Sequence, residues 1–202
     1  NIQLPPGGSN FFVFSDTPLV AAEAPVTTAE SLPITGPWEL SFPPDSGAPT
    51  SITLGTLRPW NEFKRKGIRY FSGTATYTTT VTVPAQWPTP AAQIHLNLGV
   101  VHDVAEVSIN GRQAGITWTP PHQVNITSLL HPGENAVTVK IANLWHNRLV
   151  GDASLPEDKR VTKTNNPYDD KKEAALKPSG LIGPVTLTLQ DSPSSNTAPS
   201  SH

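Results

Sequence analysis

Alternation of apolar and polar side chains over ten residues is the feature that most constrains this fold. Between Thr74 and Val83 one face carries Ala75, Tyr77 and Val81, whereas threonines fill the other face. Successive side chains of an extended chain point to opposite faces, so this segment is predicted to be a half-buried strand. The same alternation recurs in four later segments, at residues 94–98, 105–109, 137–141 and 185–189. Five well-patterned strands are therefore predicted.

Composition favours short strands joined by turns over long helices. The 202 residues include 22 prolines and 14 glycines, and many of the remainder are Thr and Val. Weaker strand candidates raise the total to roughly eight to ten strands. These candidates lie at residues 11–14, 38–42, 51–54, 112–118 and 122–126. Because that number fits two packed sheets, we predict an all-β fold, a β-sandwich or jelly roll.

Two short motifs predict particular turns. Asn110-Gly111 lies between two strand-like runs, and this pair readily takes the positive φ angles of a type I′ hairpin turn. Residues 127–135 are predicted to form a single helical turn that Pro132-Gly133 stops before the next strand.

One domain with two flanking segments is predicted. Residues 1–31 form an N-terminal lead-in with one candidate strand, residues 32–190 form the sandwich, and residues 191–202 form a disordered tail rich in Ser and Pro. Within the sandwich, residues 143–180 are a long insertion, and residues 169–176 are a candidate for a short polar helix.

Charge and cysteine content exclude several classes of function. The formal net charge is −2, and the basic residues are scattered, so no nucleic-acid partner is expected. No apolar stretch approaches the roughly 20 residues that span a bilayer, so no membrane partner is expected either. The absence of cysteine rules out disulfides, thiol nucleophiles and thiolate metal sites. The sequon at Asn125-Ile126-Thr127 would permit glycosylation in a suitable secretory pathway.

No catalytic or metal-binding motif stands out. The six histidines lack metal-ligand spacing, no Gly-x-Ser-x-Gly motif is present, and no pair of acidic residues is singled out for glycosidase chemistry. We therefore predict no catalytic residue, no metal and no cofactor, with a structural calcium ion as the alternative. The candidate calcium ligands are Asp16, Asp45, Asp103 and Glu106.

The five tryptophans are the most informative side chains, because indole rings pack on the apolar faces of sugars as well as in protein cores. The strand-like context of Trp38 predicts a core position, and the prolines beside Trp87 predict a loop position at the surface. Trp60 fits the core and the rim equally well. For Trp118 and Trp145, which border irregular segments, a surface or interface role and core packing both stay open.

Several runs of residues resemble glycoside hydrolases. Residues 67–77 and 98–139 resemble the sugar-binding sandwich of β-galactosidase-type glycosidases. Three further runs resemble the C-terminal region of a family of large bacterial and fungal α-L-rhamnosidases. These runs are Asn-Leu-Trp-His-Asn-Arg-Leu-Val-Gly-Asp at 143–152, Leu-Pro-Glu-Asp at 155–158 and Pro-Ser-Gly-Leu-Ile-Gly-Pro-Val at 178–185.

The resemblance implies a galactose-binding-like accessory domain that is not itself an enzyme. In that family the catalytic acids and any sugar-coordinating calcium belong to a barrel domain N-terminal to this region. We therefore expect this domain to pack against the catalytic barrel of an extracellular or periplasmic enzyme. Residues 143–152 are the expected interface, where Arg148 and Asp152 pair with each other or with the barrel.

Six residues are candidates for either carbohydrate binding or the barrel interface: Trp118, His122, Trp145, Asn147, Arg148 and Asp152. The alternative function is an autonomous module that binds rhamnose-containing plant polysaccharide through Trp118, His122 and Trp145. A chain that is itself an enzyme is the least favoured hypothesis, because the sequence singles out no nucleophile motif and no pair of acidic residues.

Overall fold

The computed structural model of the chain describes Phe14 and residues 28–87, 92–165 and 174–191. Twelve strands are described. They are β1 Thr28–Pro33, β2 Trp38–Ser41, β3 Ser51–Leu54, β4 Thr74–Val83, β5 Ala92–Asn97, β6 Val100–His102, β7 Val104–Ile109, β8 Arg112–Thr117, β9 Gln123–Asn125, β10 Gly133–Ala142, β11 Gly180–Gly183 and β12 Thr186–Asp191. Two α-helices are described, α1 Lys66–Arg69 and α2 His146–Ala153, with 3₁₀ turns at Trp60–Glu62, Thr127–Leu129 and Glu157–Lys159.

The strands form two main antiparallel sheets and one small one. The larger sheet has the order β3-β2-β4-β10-β7-β8, the second has the order β1-β12-β5-β9, and β11 pairs with β6. One core contains apolar residues from both main sheets. The predicted all-β sandwich is therefore confirmed. No helix in the described ranges is long and apolar enough to cross a bilayer.

The alternation in β4 specifies the inner face of the larger sheet. Ala75, Tyr77, Val81 and Val83 are all buried, as predicted. The register places Tyr77 opposite Val139 of β10, which in turn lies opposite a buried valine of β7. Full burial of a valine side chain such as that of Val139 stabilises the fold by roughly 1.5 to 3 kcal/mol.

Both predicted turns are present. Asn110 has a φ of 52° and Gly111 a φ of 77°, which joins β7 to β8 in a tight hairpin. The side chain of Asn110 also accepts a hydrogen bond from the Ala136 N–H and donates one to the Leu129 carbonyl, so it ties the hairpin to the neighbouring loop. The predicted single helical turn is the 3₁₀ turn Thr127–Leu129.

An aromatic cluster fills one end of the core and fixes Trp60 there. Trp60 is fully buried, and its Nε1–H donates to Tyr77 Oη at 2.6 Å. The same hydroxyl oxygen accepts the backbone N–H of Leu181 at 3.2 Å. Burial raises the pKa of Tyr77 above its ordinary range, although the two hydrogen bonds oppose this shift. Phe71 packs edge-on against Trp60.

The expected surface position of Trp87 was wrong. Its side chain is 3% exposed, and its Nε1–H donates to Glu30 Oε2 at 2.6 Å. Glu30 lies in β1, a strand that the sequence did not predict because Thr28–Pro33 lacks apolar alternation. β1 pairs with β12 and spans the predicted boundary between residues 31 and 32.

Other predictions fall largely on residues that are not described. Residues 11–13 of the candidate N-terminal strand lie outside the described ranges, as do residues 169–173 of the candidate polar helix and residues 192–202 of the predicted tail. Within the insertion at 143–180, the described part contains α2, which side-chain alternation did not predict.

Candidate functional site

Four chain segments converge on a cleft of about 180 Å³. They are the junction of β6 and β7, the end of β10, the start of α2 and the residues just before β11. We call this the polar cleft, and its lining residues are His102, Asp103, Asn143, Leu144, His146, Asn147, Lys177, Pro178 and Ser179.

Two asparagines hold the walls of the polar cleft together. Asn143 Oδ1 accepts the Gly73 N–H and its Nδ2 donates to the Phe71 carbonyl, both at 2.9 Å. Asn147 Oδ1 accepts the Lys177 N–H and its Nδ2 donates to the Lys177 carbonyl, both at 2.8 Å. Because these amides are engaged inside the protein, Asn147 and Asn143 have structural roles at this cleft.

Other polar groups of the cleft remain available. Asp103 Oδ2 accepts the Leu144 N–H at 3.1 Å, and its second carboxylate oxygen has no hydrogen bond within the described residues. His146 uses Nε2 to donate to the Ala175 carbonyl at 2.7 Å, and its Nδ1 has no such partner there. His102 and the ammonium group of Lys177 also have no side-chain hydrogen bond or ion pair in the described part of the chain.

Exposed apolar side chains lie in β7, in and just after β8, and just before α2. We call this group the apolar rim, and it consists of Val104, Ile116, Trp118, Leu144 and Trp145. Ala105 pairs with Thr117 across β7 and β8, so Val104 and Trp118 follow at the next position of that register. The hydrogen bond from Leu144 to Asp103 places Leu144 beside the start of β7. Trp118 is 72% exposed and Trp145 is 62% exposed, so both candidate tryptophans are surface residues.

His122 does not share this surface. It is buried, its Nδ1 lies 3.3 Å from Thr117 Oγ1, and its carbonyl accepts the Leu98 N–H. Burial lowers the pKa of His122, and the charge of His102 lowers it further. The predicted group of Trp118, His122 and Trp145 is therefore split between an inward histidine and two outward tryptophans.

Arg148 and Asp152 lie at a second cleft, of about 290 Å³, between α1 and α2. The nearest guanidinium nitrogen of Arg148 is 3.8 Å from Asp152 Oδ1, and Arg148 Nη2 donates to the Ser46 carbonyl at 3.3 Å. Asp152 is fully buried, and its Oδ2 accepts the Thr162 N–H at 2.8 Å. Burial lowers the pKa of Arg148, and the nearby Asp152 carboxylate partly offsets that shift. The pair thus connects α2 to residues 46 and 162 of the same domain.

The candidate calcium ligands are dispersed. Glu106 pairs with Lys140 at 2.8 Å on the outer face of the sheet, whereas Asp103 belongs to the polar cleft. Asp45 lies in a turn with a φ of 58°, and Asp16 is outside the described residues. Within the described ranges, no three His, Cys, Asp or Glu side chains are grouped closely enough to hold a metal ion.

Sequence reasoning did not select His102, His146 or Lys177 as site residues, and it considered Asp103 only for calcium. A usable signal was nevertheless present. His102-Asp103 lies between two predicted strands, and residues 143–147 follow a third predicted strand. In a sandwich, the loops that join the strands cluster at the strand ends, so these residues could have been expected to lie close together.

Comparisons with known proteins identify a domain family that occurs in glycoside hydrolases. The family described as glycosyl hydrolase 2 galactose-binding domain-like matches residues 59–176. A putative beta-glucuronidase of Formosa agariphila is 33% identical over 189 residues, which cover 81% of this chain and 16% of that relative. The chain therefore spans about one sixth of the curated relative that it matches.

Solved structures agree with this fold. The structure of a rhamnosidase from Novosphingobium sp. PP1Y is 36% identical, with a TM-score of 0.74, and the match covers 85% of this chain and 16% of that chain. A beta-glucuronidase from Ruminococcus gnavus is 21% identical with a TM-score of 0.58, over 84% of this chain and 29% of that chain. The latter similarity supports the fold alone.

Proposed function

The chain belongs to the glycosyl hydrolase 2 galactose-binding domain-like family, and on that premise we propose that it is the non-catalytic accessory domain of an α-L-rhamnosidase-type enzyme. In this proposal the domain packs against the catalytic domain and supports it. The observation that carries the proposal is the 36% identity and TM-score of 0.74 to a rhamnosidase of which the chain covers 16%.

The choice of rhamnosidase over glucuronidase is part of the proposal, because the 33% identical relative bears the name of a putative beta-glucuronidase. Four beta-glucuronidase structures that share the fold are 17 to 21% identical to this chain, whereas the rhamnosidase structure is 36% identical. An assay of the enzyme that contains this domain, on an aryl α-L-rhamnoside and an aryl β-D-glucuronide, decides between them. The proposal predicts turnover of the rhamnoside by that enzyme and none by the 202-residue chain alone.

The apolar rim supports docking to a catalytic domain. Ile116 and Leu144 are each 57% exposed. Val104 and Trp118 follow the last paired residues of β7 and β8, and Leu144 is hydrogen-bonded to Asp103 beside them. Large apolar side chains grouped at the surface mark interaction sites more often than isolated ones do. Covering this rim would remove two indole rings from water, and aromatic anchors commonly dominate the energetics of such contacts.

A paired substitution tests the docking. Trp118→Ser with Trp145→Ser is expected to change the unfolding free energy of the isolated chain by less than about 0.5 kcal/mol per site, because both rings are exposed. In the enzyme that also contains the catalytic domain, the same change is expected to lower the thermal midpoint and the activity. Val161→Ser is the matched control, because Val161 is 50% exposed and lies outside the rim. Full stability and activity of the doubly substituted enzyme would refute docking through this rim.

A second candidate function is an autonomous carbohydrate-binding module. The polar groups of the polar cleft that have no partner within the described residues favour it, because sugar sites combine a few such groups with nearby apolar surface. Calorimetry of the isolated chain with rhamnose-containing plant polysaccharide tests this function, and the absence of heat at millimolar sugar would remove it.

A further inference from the structure

We propose that the polar cleft binds one neutral pyranose unit through adjacent hydroxyl groups, with Asp103 and Lys177 as the main recognition residues. The inference deepens the second candidate function above, and it does not depend on docking to a catalytic domain. It also moves the sugar site from the predicted Trp118, His122 and Trp145 to residues that the sequence did not group.

The first argument is that opposite charges line one cleft without pairing. Asp103 and Lys177 both line it, yet no ion pair joins them within the described residues. A carboxylate oxygen can only accept hydrogen bonds, and an ammonium group can only donate them. A hydroxyl group does both, so adjacent hydroxyls of a pyranose satisfy the two charges at once.

Charge balance favours a neutral ligand over an acidic one. One carboxylate and one ammonium group leave the cleft with no formal excess of positive charge, apart from the two imidazoles of His102 and His146. A carboxylate on the ligand would gain from Lys177 but would be repelled by Asp103. The hydroxyl groups of a neutral sugar avoid that repulsion and can form hydrogen bonds with both Asp103 and Lys177.

The remaining lining fits the carbon skeleton of a sugar. Leu144 and Pro178 give the cleft apolar surface. The His102 side chain and His146 Nδ1, which have no hydrogen-bond partner within the described residues, can donate or accept hydrogen bonds to a sugar. A volume of about 180 Å³ is small for a ligand site, which restricts the occupant to a single sugar unit rather than a longer chain.

The fixed walls favour binding without rearrangement. Asn147 holds the backbone of Lys177 at both its N–H and its carbonyl, and the Trp60 N–H donates to the Ser179 carbonyl at 2.9 Å. Asn143 anchors the opposite wall to residues 71 and 73. Such preorganised walls reduce the entropy that is lost when a ligand binds.

The test is an NMR titration of the isolated chain with methyl α-L-rhamnoside, methyl β-D-glucoside and methyl β-D-glucuronide at millimolar concentrations. The neutral glycosides are expected to shift the backbone amide signals of residues 143–147, of Lys177 and of Ser179 in a saturable way. Asp103→Asn and Lys177→Met are each expected to weaken binding about tenfold, the usual loss when a charged hydrogen-bonding group is removed. Asn at position 103 still offers an oxygen to the Leu144 N–H, which protects the fold.

Matched controls separate the site from general surface effects. Lys64→Met and Asp158→Asn alter exposed charges outside both clefts and are expected to leave binding unchanged. Trp118→Ser is also expected to leave it unchanged, because Trp118 does not line the cleft.

Three results would overturn the inference. They are the absence of shifts around the cleft, a glucuronide affinity well above that of the neutral glycosides, and binding that Trp118→Ser abolishes while Asp103→Asn does not affect it. Saturable binding at the cleft in a domain that fails to dock would uphold the inference and reject the docking proposal.

Discussion

The short segment from Lys177 to Leu181 is held in two different ways at its two ends. At Gly180 and Leu181 it lies against the buried rings of Trp60 and Tyr77. At Lys177 its backbone is held by the side chain of Asn147. The first end is fixed by shape and shared hydrogen bonds in the core, whereas the second end forms a wall of the polar cleft.

This difference shows how the core supports the site. Packing at the core end leaves little freedom, because interiors are close-packed and tolerate few changes in volume. The cleft end is more exposed, and water can replace a lost hydrogen bond there. Substitutions at the core end should therefore destabilise the whole fold, and substitutions at the cleft end should mainly loosen the wall.

Gly180→Ala is expected to have the largest effect. A Cβ at this position would lie 2.7 Å from Trp60 Cε2 and 2.9 Å from Tyr77 Oη, and the φ of 98° is unfavourable for any residue with a side chain. We expect a loss of about 3 to 5 kcal/mol in the free energy of unfolding, measured by chemical denaturation.

Gly133→Ala is the matched control for this prediction. Gly133 has a φ of 88°, but a Cβ added at this position would have no other group within 4 Å. The substitution therefore isolates the backbone cost, about 1 to 2 kcal/mol. Equal losses for the two variants would show that the aromatic contact contributes nothing.

Tyr77→Phe should have the next largest effect. Removing the hydroxyl leaves the buried Trp60 Nε1–H and Leu181 N–H without an acceptor. Each orphaned donor costs roughly 1 to 2 kcal/mol, in the lower part of the usual range, so a loss of about 2 to 4 kcal/mol is expected in denaturant unfolding. Tyr70→Phe should change stability by less than about 0.5 kcal/mol, because Tyr70 is partly exposed and its hydroxyl has no hydrogen bond in the described part of the chain.

Asn147→Ala should cost less, about 1 to 2 kcal/mol, because Lys177 is exposed and its backbone groups can turn to water. Hydrogen exchange of the Lys177 amide should become faster while exchange of the Leu181 amide stays slow. Asn165→Ala, at an exposed asparagine, serves as the control. If both amides exchanged faster to the same extent, the two ends would not be independent.

The smallest effect concerns alkaline pH. Burial raises the pKa of Tyr77 in the folded state, whereas in the unfolded chain the group ionises near pH 10. The stabilising contribution is thus complete below about pH 10 and is lost as the pH rises from there towards the folded-state pKa. We expect a loss of about 0.8 kcal/mol at about pH 10.5, from this group alone. Denaturation curves of the parent chain and Tyr77→Phe across this range should converge by that amount, and parallel pH profiles would contradict the prediction.

Local patterns predicted the fold well. Alternation in β4 identified its buried face, and Asn110-Gly111 identified the hairpin, because both signals depend only on neighbouring residues. Local patterns failed for β1 and Trp87. The pairing of β1 with β12 and the hydrogen bond from Trp87 to Glu30 both join residues far apart in sequence.

The site was predicted only in part. The exposed Trp118 and Trp145 and the buried Arg148 and Asp152 were selected as candidates from irregular regions, but the structure distributes them between the rim and a separate cleft. Their roles in docking or sugar binding stay predictions. The sequence did not predict the polar cleft, because its lining residues come from four segments that only folding brings together.

The sequence by itself determined an all-β sandwich, since side-chain alternation sets which face of each strand leaves water. It also indicated a glycoside hydrolase relative through contiguous runs of residues. Only the tertiary structure decided that Asp103 and Lys177 line one cleft and that His122 is buried. It also decided that the side chain of Asn147 is hydrogen-bonded to the backbone of Lys177. The reason is physical: alternation acts between adjacent residues, whereas a cleft depends on how distant loops close over a packed core.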